Sequence, residues 1–145
     1  MLKRSVIQRV PELQTARLLL RGFGAADAPR LAKLAGSRGI SDTMISVPYP
    51  FDTEHARIEI ERYEAESCAG AGYHFAITLR ENRLEFIGYI ALKHIDREHL
   101  ETELSFWINS NHTGRGYMTE AGLVITAYAF EYLSLNRVCA YHMRR

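Results

Sequence analysis

The order of strand-like and helix-like runs along this 145-residue chain predicts an α+β fold: a mixed, mostly antiparallel sheet with helices on both faces. Three observations carry the prediction. Residues 73–108 hold three strand-like runs joined by short polar connections, the pattern of an antiparallel meander. A long apolar helix at 116–133 follows and leads into one more short strand, so the strands at 100–108 and 137–142 form a parallel pair joined by a right-handed crossover. Ahead of the meander stand one leucine-rich strand and two helices. The length suits a single domain, 1–145, burying roughly 68–70% of the unfolded chain's surface.

Taken in order, Ala16 to Phe23 is the first strand, and its three consecutive leucines predict burial on both faces. Asp27 caps a short helix from Ala28 to Ala35, with Leu31, Leu34 and Ala35 at helical spacing, and Ser37-Arg-Gly39 breaks it. Pro48-Tyr-Pro50 forbids regular helix. Asp52 or Thr53 then opens a charged helix through about Ser67, with Glu54 in its first turn. Ile58, Tyr63 and Ala65 give it only a thin apolar stripe, which places it on the surface beside a cleft, and Gly70-Ala-Gly72 ends it. The meander strands are Tyr73 to Leu79, Leu84 to His94 and Leu100 to Ile108, connected by Glu81-Asn-Arg83 and Asp96-Arg-Glu-His99. The helix from Gly116 to Leu133 is apolar at Ala121, Val124, Ile125, Tyr128 and Tyr132, with Ala127, Ala129 and Phe130 widening the stripe until most of its girth is buried. Arg137 to His142 is the last strand.

Composition excludes several functions. With 18 basic against 17 acidic residues, nothing favours nucleic acid, and Lys3-Arg4 and Arg144-Arg145 are too short to be basic tracts. No apolar run has the length of a signal-peptide core or a bilayer span, so a cytoplasmic protein without membrane attachment is expected. Cys68 and Cys139 are expected to be reduced. Neither belongs to a CxxC pair and no H-x-x-x-H pair occurs, so no metal is expected.

The most informative stretch is Gly114-Arg-Gly-Tyr-Met-Thr-Glu-Ala121, a glycine-flanked turn between a strand and a long helix. Glycines let the backbone approach a ligand closely, and the first helical turn offers unpaired N–H groups at the positive end of the dipole. Arg115 adds a cation. This is a phosphate-binding arrangement, yet the spacing matches neither G-x-x-x-x-G-K-[ST] nor G-x-G-x-x-G.

Thr113-Gly114-Arg115-Gly116-Tyr117-Met118 resembles instead the coenzyme A pyrophosphate loop of the GNAT acetyltransferase superfamily, [Q/R]-x-x-G-x-[G/A], departing from it at Thr113 and Met118. The flanks extend the resemblance. Glu103 to Asn109, Thr119-Glu120-Ala121, Ala127 to Phe130 and Leu135-Asn-Arg-Val138 look like the branch that acetylates ribosomal-protein N-termini, as do Leu13 to Arg21, Phe75-Ala-Ile77 and Phe86 to Ile90. The resemblance runs from about residue 12 to the last residue.

It implies an acetyl-CoA-dependent N-acetyltransferase acting by direct transfer on a primary amine, either a protein N-terminus or a small molecule. The pyrophosphate would lie on the N–H groups of Gly114, Arg115, Gly116, Tyr117 and Met118, with Thr119 adding a hydroxyl. Pantetheine would pair with the backbone of Phe106, Trp107 and Ile108 where two parallel strands splay, and an amide near Phe106 would face the thioester oxygen. Glu103 is the candidate general base. Alternation puts Glu101, Glu103, Ser105 and Trp107 on one face of their strand, and a carboxylate in a central strand needs a purpose: proton removal from the amine, or a pairing with a helix end or an arginine. His74 and His94 lie on strands within reach of the acceptor cleft but read more readily as structural, and His55, His99 and His112 read as surface positions. Tyr117 would stack near the cofactor and Tyr49 line the acceptor site.

Family members continue past the equivalent of Arg145 into an Asn-x-x-Ser segment, a further helix and final strands, so the resemblance implies a C-terminally truncated fold. It leaves an Asn contact to pantetheine and a thiolate-protonating Tyr unassigned. The exposed sheet edge this implies predicts lower stability or pairing with a partner, a homodimer included. A non-catalytic remnant that binds coenzyme A or a protein is the alternative reading. Specificity in the family comes from the region equivalent to Ala28 to Ser67, and nothing there singles out one acceptor. The acidic run from Glu54 to Glu66 reads as a solvated helix face.

Overall fold

The computed structural model describes residues 10–35 and 51–140. Among these, six strands form one sheet in sequence order: β1 (Leu13–Gln14), β2 (Leu18–Arg21), β3 (Tyr73–Leu79), β4 (Asn82–Asp96), β5 (Glu101–Ile108) and β6 (Arg137–Ala140). Neighbours are antiparallel except β5 and β6, which run parallel. Among the described residues three α-helices, α1 (Ala28–Ala35), α2 (Thr53–Ala69) and α3 (Tyr117–Glu131), flank the sheet, and α3 is the crossover between β5 and β6. The expected α+β architecture, meander and parallel pair are all present. The expected break at 37–39, the Pro48-Tyr-Pro50 loop with Tyr49, and the strand end at His142 lie outside the described residues.

Side-chain alternation splits the core into two layers. On one face Ala76, Phe86, Tyr89 and Trp107 pack under α1 and α2. On the other, Phe75, Ile77, Ile90 and Leu92 pack against Ala121, Ile125 and Ala129 of α3. In β2, Leu18, Leu19 and Leu20 are all buried, as the leucine triplet predicts.

The helix ends follow local chemistry. Asp52 caps α2 by accepting the His55 N–H at 2.9 Å, and Gly70, at φ 72°, closes it in the left-handed conformation. Asp27 does not cap α1. Its carboxylate accepts the Gly24 N–H at 2.8 Å, closing a 3-10 turn, and takes a bidentate pair from Arg21 at 2.9 and 3.0 Å. With both oxygens so engaged, the helix start at Ala28 gets no side-chain cap from it.

Both helix faces differ from the sequence expectation. In α2, Ile58 is 52% exposed and Ala65 is exposed, whereas Ala56, Ile60, Tyr63 and Ser67 are buried. Small residues at both ends of this stripe let the helix sit close to the sheet, and they contribute little hydrophobic signal. In α3 only Ala121, Ile125 and Ala129 are fully buried, while Leu123 and Tyr132 are 70% and 76% exposed. A single sheet face lies beneath this helix, so one stripe suffices. The β3–β4 turn is also tighter than expected, because Asn82 and Arg83 belong to β4, and irregular register between Lys93 and Asp96 accommodates His94 at φ 52°.

Candidate cofactor-binding site

The loop between β5 and α3 is built for close approach. Gly114 and Gly116 have φ of 77° and 79°, a conformation that costs a side-chain-bearing residue about 1–2 kcal/mol. A Cβ at Gly114 would meet nothing within 4 Å, so backbone conformation rather than space demands glycine there. Gly116 caps α3 without a side-chain bond, and the first hydrogen bond into the helix runs from the Glu120 N–H to the Gly116 carbonyl at 3.0 Å. The N–H groups of Gly114, Arg115, Gly116, Tyr117, Met118 and Thr119 therefore find no acceptor among the described residues. Six consecutive donors at the positive end of a helix make an anion site. Arg115 brings positive charge to it, and burial first, then the charges of Arg115 and Arg30, hold the adjacent His112 imidazole below its ordinary pKa.

A clamp that the sequence reading missed pins this loop to the first strands. Glu120 accepts the Arg17 main-chain N–H at 2.9 Å, the Arg17 Nε–H at 2.8 Å and the Thr15 hydroxyl. Arg17 also donates from Nη1 to the Arg115 carbonyl at 3.0 Å and lies 4.5 Å from the centre of the Tyr117 ring. Tyr117 thus stacks on a protein cation. The Thr15 hydroxyl, then the Arg17 N–H and guanidinium, hold the Glu120 carboxyl below its ordinary range. A threonine and an arginine flanking Ala16, with a glutamate far along the chain, give no local pattern by which the clamp would be found.

The edge of β5 supplies the second part. Its pairing with β4 extends to Ile108, whereas its pairing with β6 stops at Leu104. Beyond Leu104 the other edge, carrying Phe106, Trp107 and Ile108, has no strand beside it among the described residues. Trp107 is buried, Ile108 half-buried and Phe106 38% exposed.

Glu103 lies in the paired region of β5, opposite Lys93 of β4 and Cys139 of β6. Its side chain is 32% exposed, with Oε1 3.6 Å from Nε2 of the exposed His94. The burial expected around it is only partial, and its partner among the described residues is a histidine rather than an arginine or a helix end. It shares a face with Trp107 but stands apart from the glycine loop.

His74 is fully enclosed, bonded to Glu66 and Tyr89 and stacked on Tyr63. The acidic run of α2 is answered by arginines: Arg57 pairs with Glu54 and Glu61, and Arg62 with Glu59 and Glu66. A cleft of about 680 Å³ lies beside α2, lined among others by Phe23, Ile60, Tyr63, Glu64 and Leu84. His74, expected within reach of an acceptor cleft, lines it, whereas Glu103, the 106–108 strand edge and the 114–119 loop do not. Its rim charges are largely matched, Arg21 with Asp27 and Arg83 with Glu12. Among the described residues no helix is long and apolar enough to cross a membrane, and no three His, Cys, Asp or Glu residues gather as a metal site requires.

Comparison with known proteins identifies the family and the fold. A family model described as the acetyltransferase (GNAT) domain matches residues 17–145. The uncharacterized N-acetyltransferase p20 of Bacillus licheniformis is 31% identical over 87% of this chain, which spans 70% of that protein. An acetyltransferase structure from Agrobacterium tumefaciens superposes with a TM-score of 0.76 at 29% identity, covering 94% of this chain and 76% of its own. RimL, a ribosomal alpha-N-protein acetyltransferase solved in complex with coenzyme A, has the same fold, with a TM-score of 0.79 at 14% identity over 90% of this chain and 73% of that one.

Proposed function

Because the chain belongs to the GNAT acetyltransferase family, we propose that it transfers an acetyl group from acetyl-CoA directly to a primary amine. The observation that supports this most is the row of unpaired N–H groups from Gly114 to Thr119 at the start of α3, following along the chain a β5 edge left open beyond Leu104. The loop suits a pyrophosphate, and the backbone of Phe106, Trp107 and Ile108 suits an extended pantetheine amide chain. An amide near Phe106 would stabilise the oxyanion that forms when the amine attacks the thioester. Glu103 would take the proton the amine must lose, from the same face as Trp107 and with access to water. A protein N-terminus is the acceptor favoured by the likeness to RimL.

Thermal unfolding with and without acetyl-CoA tests the cofactor site. A ligand at 100 times its Kd stabilises by about 2.7 kcal/mol, which moves the midpoint by several degrees. Amine screening with thiol detection then tests turnover, and Glu103→Gln should lower kcat while leaving the ligand-induced shift intact. A cooperatively folded protein that acetyl-CoA does not stabilise would refute the proposal.

A further inference from the structure

Beneath α2, a file of polar and aromatic side chains leads from the protein surface to β5. Glu66, 27% exposed, places Oε1 2.6 Å from Nε2 of His74, which is itself 1% exposed, and Nδ1 of His74 lies 2.8 Å from the Tyr89 hydroxyl. A carboxylate only accepts, so Nε2 carries the proton and Nδ1 accepts from Tyr89. Tyr63 covers the imidazole at 4.1 Å and 13°. Tyr89 in turn stacks on Trp107 at 5.9 Å and 18°, its register partner across β4 and β5. The backbone makes room for this file. A Cβ at Gly72 would lie 2.9 Å from Glu66 Oε1 and 3.1 Å from the Leu92 carbonyl.

Packing alone does not call for these groups. A leucine at 74 would fill the space without the cost of enclosing an imidazole and half-enclosing a carboxylate. What the imidazole adds is direction, with a donor on one side and an acceptor on the other, so that the Tyr89 hydroxyl, which also neighbours that of Tyr63, has a buried acceptor at Nδ1 that holds its ring in place. We propose that His74 is a positioning residue for the open edge of β5, fixing Tyr89 and, through the Tyr89 ring, the Trp107 segment that receives the acyl donor. This rests on the function proposed above.

Trp107 is the single tryptophan of the sequence, so its fluorescence, excited at the red edge beyond tyrosine absorption, reports on this segment alone. Tyr89→Phe and His74→Leu should weaken the Trp107 signal and raise the KM for acetyl-CoA by on the order of tenfold, with kcat changed by less than about twofold. His74→Gln offers a carbonyl to Tyr89 and an NH2 to Glu66, so it should restore both readouts toward wild type. Measurements belong at a temperature where each variant is fully folded, since a merely structural role would lower the melting temperature without touching either readout. An unchanged Trp107 signal in Tyr89→Phe, or a His74→Gln protein as impaired as His74→Leu, overturns the positioning role. If the wild-type protein fails to bind acetyl-CoA, the proposed function falls, while the Trp107 signal of Tyr89→Phe still decides whether His74 and Tyr89 hold the strand.

Discussion

Replacing Gly88 by alanine should destabilise the protein and disturb the open edge of β5 together. Gly88 faces Ile108 across the β4–β5 ladder, and an added Cβ would stand 2.7 Å from the Trp107 carbonyl oxygen, 3.2 Å from Ile108 Cα and 3.3 Å from Ile108 Cγ1. Carbon–oxygen contacts between strands ordinarily settle at about 3.3–3.6 Å, so β5 must retreat by roughly 0.6 Å or more. The obstruction is main chain and cannot rotate away. Overpacking of this kind costs about 1–3 kcal/mol, and the stiffer unfolded chain returns about 0.4–1 kcal/mol, leaving a net loss of about 1–2 kcal/mol. For a domain of this size that lowers the melting temperature by roughly 3–7 °C, measurable by circular dichroism without ligand. Gly122→Ala is the matched control, because a Cβ there meets nothing within 4 Å on α3. It should stabilise by about 0.5–1 kcal/mol. A Gly88→Ala protein as stable as wild type, beside a stabilised Gly122→Ala, would show that β5 yields freely and would refute the tight apposition inferred for Trp107.

Two other perturbations have directions fixed by the structure. Glu120→Ala strips partners from Thr15 and from the Arg17 main chain and guanidinium, and should cost about 1–2 kcal/mol once the half-exposed Arg17 is discounted for solvent screening; denaturant unfolding measures it. Burial, opposed by the Glu66 hydrogen bond, holds the His74 imidazole below its ordinary value of 6.5, so the unfolded chain takes up this proton first as pH falls. The contribution of His74 to stability is thus complete above about pH 6.5 and drains away below it, and melting temperatures from pH 8 to 5 should fall less steeply in His74→Gln than in wild type.

What could be foreseen from the sequence was whatever neighbours along the chain decide. The turn at Gly114 and Gly116, the cap at Asp52 and the stop at Gly70 each depend on a few adjacent residues, and the meander strands declare themselves as strand-like runs between short polar connections. In α2 the buried face departs from expectation where small residues do the packing, at Ala56 and Ser67, whereas in α3 Ala121, Ile125 and Ala129 are buried as expected and only the width of the stripe differs. Hydrophobic counting overvalued Ile58 and Tyr132 there. Glu103 was correctly placed on the face of Trp107, but its openness to solvent depends on how β6 and His94 lie beside it. The Glu120 clamp and the file from Glu66 to Trp107 escaped notice because each joins residues that only the finished sheet brings together.

The clamp on Glu120 also bears on when the anion site comes into being. Thr15 and Glu120 are 105 positions apart, and closing so long a loop costs about 2 kcal/mol more chain entropy than closing one of ten residues. Such a contact is expected to form after the folding barrier is crossed, so Glu120→Ala should quicken unfolding and leave the refolding rate nearly unchanged. During synthesis the first two strands leave the ribosome long before the helix they restrain exists. The amide cradle is then among the last parts of the molecule to become rigid, and a ligand arriving early would meet a loop still free to move.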